Sequence, residues 1–246
     1  MAHNIKNLYS KLIMKNNTRR DFIKSSAAIG SFFILPSGLR AKSPNSKICT
    51  AHIGTGGKGR IDTVYLAKHD NVEVIGLCDV DYAHGKIDTW SKQFKSATAF
   101  QDYREMLTKL DDKIDAVSIS TPDHTHYPAT MDAMERGKHI YLQKPLTHKL
   151  KEARQLSEFA AEKGLTTQMG IQNQSREAYR LARHYIQDGL IGKISKVYVW
   201  SFKTWGYDGE PFKEKSEVPD TLDWNLWLGT APKHDYVSKV YHPGQW

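Results

Sequence analysis

The feature that most constrains this chain is a glycine-rich turn set between an apolar run and a helical pattern. Cys49-Thr50-Ala51-His52-Ile53 reads as a short strand that runs into a G-x-G-x-x-G spacing at Gly54, Gly56 and Gly59. Ile61, Val64, Tyr65 and Lys68 then recur at helical intervals. Each glycine has a mechanical task. The first permits the tight turn, the second lets a pyrophosphate approach the backbone, and the third lets the helix pack on the strand. The helix N-terminus offers open N–H groups and a positive dipole end to the phosphates. A second apolar run, Val72–Cys78, ends in Asp79, 25 positions after Gly54. That is near the position expected for the acid that binds the adenosine ribose. Thr55, Gly57 and Arg60 belong to the same expected dinucleotide-binding turn.

The rest of the chain repeats the strand–helix alternation. Helical patterns are expected over Tyr82–Phe94, over Tyr103–Lys109 with Asp102 as its cap, over Tyr127–Arg136 and over Lys149–Lys163. Strands are expected at Ala97–Phe100, Asp115–Ser120, Lys138–Leu142 and Thr166–Met169. Short links between such units predict an α/β fold: a Rossmann-type, doubly wound, mostly parallel sheet with helices on both faces. The polar clusters all fall at carboxyl ends of predicted strands: the glycine turn, Asp79, Ser120-Thr121-Pro122-Asp123-His124-Thr125-His126, Gln143-Lys144-Pro145, and Gln172-Asn173. In an open α/β sheet that edge is where ligands bind.

Past residue 170 the pattern changes. Glu177–Gln187 reads as a helix with Ala178, Leu181, Ala182, Tyr185 and Ile186 on one face, and Lys193–Phe202 alternates like a half-exposed strand. Aromatics then become dense: Trp200, Trp205, Tyr207, Trp224, Trp227, Tyr236, Tyr241 and Trp246. The expected division is residues 1–46 as a leader, 47–170 as a dinucleotide-binding domain, and 171–246 as the opening of an incomplete α+β substrate domain. One strand cannot make a stable sheet by itself.

The formal net charge of +8 could be taken for a nucleic-acid signal, but it is local. Residues 1–46 hold eight basic side chains against one acid, Asp21, so the other 200 residues are close to neutral and no polyanion partner is predicted. Within that basic stretch, Thr18-Arg19-Arg20-Asp21-Phe22-Ile23-Lys24 fits the twin-arginine export pattern, and an apolar run from Ala27 to Leu35 follows. The run is too short to span a bilayer. These features predict a secretory leader cut between Pro36 and Lys47, passage through the twin-arginine translocase, and a periplasmic location. Cys49 and Cys78 have neither metal-site nor redox-pair spacing, and no metal site is expected.

Taken together, the glycine fingerprint, Cys78-Asp79-Val80-Asp81, Ser120 to His126, Gly137-Lys138-His139-Ile140-Tyr141-Leu142-Gln143-Lys144-Pro145-Leu146 and Asp188 to Ile194 resemble the Gfo/Idh/MocA oxidoreductases, from about Lys47 onward. Asp223 to Pro232 resembles a segment of exported members that act on sugars. The resemblance implies an NAD or NADP enzyme acting on a hydroxyl of a sugar, polyol or glycoside, and homo-oligomers in the full-length form. Lys144 would be the catalytic lysine that hydrogen-bonds the reacting oxygen, partly buried and with a lowered pKa. Pro145 keeps it out of helical geometry. Gln143 departs from the family's Glu-Lys-Pro, exchanging a charged contact for an amide. The family's downstream Asp and His have no counterpart here. His124 and His126 either line the nicotinamide pocket or order their loop, and Gln172 and Asn173 are candidates for the substrate side. His234 and His242 lie in loops and carry no assigned role. Asp79 favours NAD over NADP, because a carboxylate repels the extra phosphate, while Arg60 could offset that.

Two other functions compete with an oxidoreductase. One is a glycoside hydrolase or lyase that uses the same cofactor for a transient oxidation, and the other is a non-catalytic nucleotide- or sugar-binding protein.

Overall fold

A computed structural model describes residues 47–201 and 214–242. They belong to one compact unit, Asn45–Trp246. The leader, Phe202, Trp205, Tyr207 and Trp246 lie outside the described residues.

Six strands form one all-parallel sheet: β1 (Ile48–Ile53), β2 (Val72–Cys78), β3 (Thr98–Phe100), β4 (Ala116–Ile119), β5 (His139–Gln143) and β6 (Thr167–Gly170). Their order is β3-β2-β1-β4-β5-β6. The chain therefore winds outward from β1 in one direction, returns to the centre, and winds outward in the other. The crossovers are α1 (Gly57–Leu66), α2 (Ile87–Gln93), α3 (Tyr103–Lys109), α4 (His126–Glu135) and α5 (Leu150–Lys163). This is the predicted doubly wound architecture, in the strand order of the Rossmann fold.

Both faces of the sheet are covered over its central strands, which are accordingly rich in buried apolar residues. On one face, Ala51, Ile53, Val117, Ile119 and Leu142 pack with Met106 and Leu107 of α3, Ala133 and Met134 of α4, and Leu156 of α5. On the other, Val74 and Leu77 pack with Ile87 and Trp90 of α2. Each such fully buried aliphatic side chain contributes about 1.5–3 kcal/mol. The helix ends follow local chemistry. Asp102 caps α3 by accepting the Arg104 N–H at 2.9 Å, and α5 stops at Gly164, whose φ of +64° suits glycine.

Two predicted elements differ. The helix expected over Tyr82–Phe94 forms only from Ile87, because the Asp81 carboxylate captures the amides of Ala83 and His84 and folds residues 81–86 into a turn. The strand expected from Lys193 has no ladder: residues 193–201 form no regular element and are exposed. Alternation alone does not make a strand, which needs a paired neighbour, and none lies beside this segment among the described residues. The amphipathic helix at 177–187 is present as α6 (Glu177–Gln187), with Leu181, Tyr185 and Ile186 nearly half exposed. A short helix, α7 (Trp224–Leu228), closes the element order.

One buried polar group sits in the centre of the sheet. His52 on β1 is enclosed between the hydroxyls of Thr50 (3.1 Å) and Thr63 of α1 (3.2 Å). Burial lowers its pKa from 6.5 to about 4. The unfolded chain therefore takes up a proton near pH 6.5 that the folded chain refuses until about pH 4. His52 costs no stability above pH 6.5, and stability declines as pH falls from there to 4, by about 3 kcal/mol for a shift of this size. Urea unfolding across that range should show the decline, and His52→Asn should remove that part of the slope.

Candidate active site

In a parallel sheet every strand ends on the same edge, so the loops after β1, β2, β4, β5 and β6 meet there. The strand order reverses between β1 and β4, opening a crevice at that point. The glycine turn fills it closely. Gly54 has φ +79°, and a Cβ there would stand 2.7 Å from the Ser120 carbonyl oxygen. A Cβ on Gly59 would stand 1.7 Å from the Gly54 carbonyl oxygen. The turn closes only with glycine at both places. Helix α1 starts from Gly56 with no side-chain cap and no acidic residue in its first turn. Its first-turn amides are thus open to an anion. The Thr121 hydroxyl beside the turn is buried without a hydrogen-bond partner. A backbone that only glycine can close, open helix amides and an unpaired hydroxyl together suit a dinucleotide's pyrophosphate.

Asp79 leaves the end of β2 and turns inward. Its Oδ2 accepts the Thr55 and Gly56 amides at 2.9 and 3.0 Å, and Oδ1 accepts the Asp81 amide at 3.1 Å. The acid therefore braces the glycine turn from below, and Oδ1, with a single donor, keeps capacity for a ribose hydroxyl. Burial raises its pKa, opposed by those three amides and by His84. Thr55 is buried, its hydroxyl donating to the Gly85 carbonyl. Gly57 is exposed at the start of α1. Arg60 is also exposed on α1 and stands apart from the residues that line the cleft.

The cleft holds about 820 Å³. Gly54, Gly56, Asp79, Ser120, Thr121 and Pro122 form one wall. Asn225, Trp227, Tyr241 and His242 form the other, a contribution absent from the sequence-based expectation. Residues 219–242 reach this position through Asp81. Its carboxylate accepts from the Thr221 hydroxyl at 2.9 Å and faces His242 Nε2 at 3.1 Å. His242, expected to be an unremarkable loop residue, is buried against this acid, with its ring 4.8 Å from His84. Burial, then the neighbouring His84, lower its pKa, while Asp81 opposes the shift. Trp224 stacks on Trp227 at 4.7 Å and seals the segment with Leu222, Leu228 and Tyr236. His124 Nε2 bonds the Trp227 carbonyl oxygen at 2.9 Å, and burial lowers its pKa. This contact ties the loop after β4 to residues 219–242.

Lys144 follows β5 on the same edge as Asp79, because both strands are parallel to β1. Its side chain is exposed, as is Pro145, so the expected partial burial is not supplied by the described residues. His126 is fully buried. Its Nδ1 meets the Pro145 carbonyl oxygen at 2.7 Å and its Nε2 that of Thr121 at 2.9 Å. It ties the loop after β4 to the loop carrying Lys144, again an ordering role. Gln143 is buried and donates to Asp62 of α1 at 2.8 Å. Sequence reasoning missed Asp62, which sits among helical residues with no motif to mark it. Gln172 donates to the Tyr141 hydroxyl at 2.8 Å, and Asn173 is exposed beside it.

Comparison with known proteins agrees with this geometry. The GFO_IDH_MocA model, described as an oxidoreductase family with an NAD-binding Rossmann fold, matches residues 48–171, just over half of the chain. Scyllo-inositol 2-dehydrogenase (NAD(+)) of Bacillus subtilis (strain 168) is 35% identical over 140 residues, covering 56% of this chain and 40% of that protein. A glycosyl hydrolase family 109 protein of Stenotrophomonas maltophilia (strain K279a) is 36% identical over 126 residues, covering 48% and 28%. The solved scyllo-inositol dehydrogenase of Lactobacillus casei with bound NAD(H) and scyllo-inositol superposes with a TM-score of 0.55 at 25% identity, over 61% of this chain and 44% of that one. The chain thus spans less than half the length of these relatives.

If Asp79 is the acid at the adenosine ribose, Asp79→Asn removes a charge and loosens the turn. NADH binding should weaken by about tenfold, with a smaller loss for NADPH. Fluorescence titration with both cofactors measures the two, and an unchanged ratio between them would remove Asp79 from that role.

Proposed function

The chain belongs to the Gfo/Idh/MocA oxidoreductases, with their NAD-binding Rossmann fold, and on that premise we propose that it serves a hydride transfer between a carbohydrate hydroxyl and a nicotinamide cofactor. The substrate class is a sugar, polyol or glycoside, by analogy with the inositol dehydrogenases it is similar to. The observation that carries the reading is that the glycine turn, Asp79 and Lys144 all follow carboxyl ends of parallel strands, on one edge of the sheet, although Lys144 is not among the residues that line the cleft.

The residues divide by task. The open amides of α1 take the pyrophosphate, Asp79 takes the adenosine ribose, and Ser120 and Thr121 line the crevice beside them. When bound, the nicotinamide ring supplies the acceptor for the hydride leaving the substrate carbon. Lys144 hydrogen-bonds the reacting oxygen and helps its proton leave as the hydride moves. His126 holds the Lys144 loop against the loop after β4. Residues from 171 onward contribute to selecting the sugar, and the protein acts as a homo-oligomer.

A second reading is favoured by the similarity to a family 109 glycosyl hydrolase: oxidation is transient, a glycosidic bond is cut, and no net NADH accumulates. Product analysis separates the two, since only the first releases NADH in step with the oxidised sugar. A protein that binds without turning over would release neither.

The direct test is to denature purified protein and identify released NAD or NADP by absorbance and mass, then to assay a panel of inositols, sugars and glycosides. Lys144→Ala should lower turnover by about 10²- to 10⁴-fold, the usual contribution of a positioned acid–base group, while NADH still binds. Unchanged turnover would dismiss Lys144 from this role.

We also propose export through the twin-arginine translocase to the periplasm, carried by Thr18 to Lys24. Replacing Arg19 and Arg20 together with lysine should move the protein from the periplasmic to the cytoplasmic fraction on cell fractionation.

A further inference from the structure

Asp62 is a buried carboxylate that the reading above does not use. It lies on the sheet-facing side of α1 and is 4% exposed. Its Oδ1 is paired with the Lys58 ammonium one helical turn back. Its Oδ2 accepts from the Ser120 hydroxyl at 2.9 Å and from the Gln143 amide at 2.8 Å. One carboxylate therefore joins the glycine-turn helix to the ends of β4 and β5.

Gln143 is equally buried and has no freedom to turn away. A Cβ on Gly170 of β6 would stand 2.5 Å from its Nε2, so the β6 backbone closes on the amide from the other side. The amide's orientation is fixed as well. Rotating it would press Oε1 against the Asp62 carboxylate, two acceptors with no hydrogen between them. With Nε2 on Asp62, Oε1 is left toward the backbone N–H of Lys144, 3.4 Å away.

We infer that Asp62 and Gln143 act as one unit, in which the acid on α1 fixes the amide and the amide fixes the Lys144 backbone. Asp62 is thus a positioning residue for Lys144, and it sets the identity of residue 143. A glutamate at 143 would put a second carboxylate about 2.8 Å from the first in a site closed to water. Two such groups cannot both ionise, and one must hold a proton. That is the reason this chain reads Gln-Lys-Pro, with the negative charge carried on the neighbouring helix. The other titratable groups facing Asp62 are Lys58 on α1 and Tyr141 on β5, whose pKa is raised by its own burial and further by Asp62.

The inference deepens the proposed function and rests on its reading of Lys144. Its test is an exchange of the two groups. Wild type, Asp62→Asn, Gln143→Glu and the double variant Asp62→Asn/Gln143→Glu are compared from pH 5 to 9, by thermal melting and by kcat and KM on the inositol, sugar or glycoside that the panel assay identifies. Each single change should lower kcat by about tenfold with KM for NAD little altered. Gln143→Glu should regain kcat and melting temperature as the pH falls and the shared proton returns. The double variant restores one acid and one amide, and should recover most of the loss at all pH values. Single variants with wild-type kcat, or a double variant no better than the singles, would overturn the inference. If Lys144→Ala leaves turnover intact, the Lys144 reading fails and with it the positioning role. The melting curves then still decide the pairing, which is refuted if Gln143→Glu melts with the wild-type pH profile.

Discussion

The site depends on a contact that leaves no room for a single extra carbon. At the reversal of strand order, the turn after β1 lies against the Ser120 carbonyl of the next strand, and the start of α1 folds back onto the Gly54 carbonyl. With side chains at those positions, the turn would open and α1 would lift from the sheet. The backbone amides that face the cleft, the acid braced beneath them and the alignment of α1 with β4 and β5 all follow from that closeness. It is a steric constraint first, and the electrostatics of the site are arranged upon it.

Those electrostatics use two buried carboxylates in different ways. Asp79 is held by backbone amides from the turn it supports, so its charge is stabilised by groups that cannot rotate away. Asp62 is held by side chains from three segments, and so couples their positions. In both, hydrogen bonds offset part of the cost of taking a charge out of water. The imidazoles of His124 and His126 fill a third role. His124 lies against the Trp227 carbonyl and His126 lies between the Thr121 and Pro145 carbonyls, so both help tie loops together.

Much of this is legible in the sequence because it is local. Apolar runs of strand length, a glycine spacing and an acid at the following strand's end specify neighbours within a few residues of one another. The parallel sheet then carries Lys144 to the same edge as Asp79 without further information. What is not legible is what depends on distant partners. Asp62 is one polar residue in a helix until β5 supplies Gln143. The helix expected over Tyr82–Phe94 is shortened by an aspartate whose preference for nearby amides competes with helical bonding. The alternation from Lys193 describes a surface, but pairing is a property of two strands and cannot be read from one. His242 has no local pattern at all, and its place is set by Asp81, 161 positions earlier.

That last separation bears on the order in which the protein is made. The glycine turn follows the first strand of the sheet, yet the lining of its cleft includes Tyr241 and His242, which are translated much later. A nascent chain can build the sheet and present the turn long before the cleft has both sides. The cleft therefore gains its second side only when residues 219–242 have been translated and have docked on Asp81.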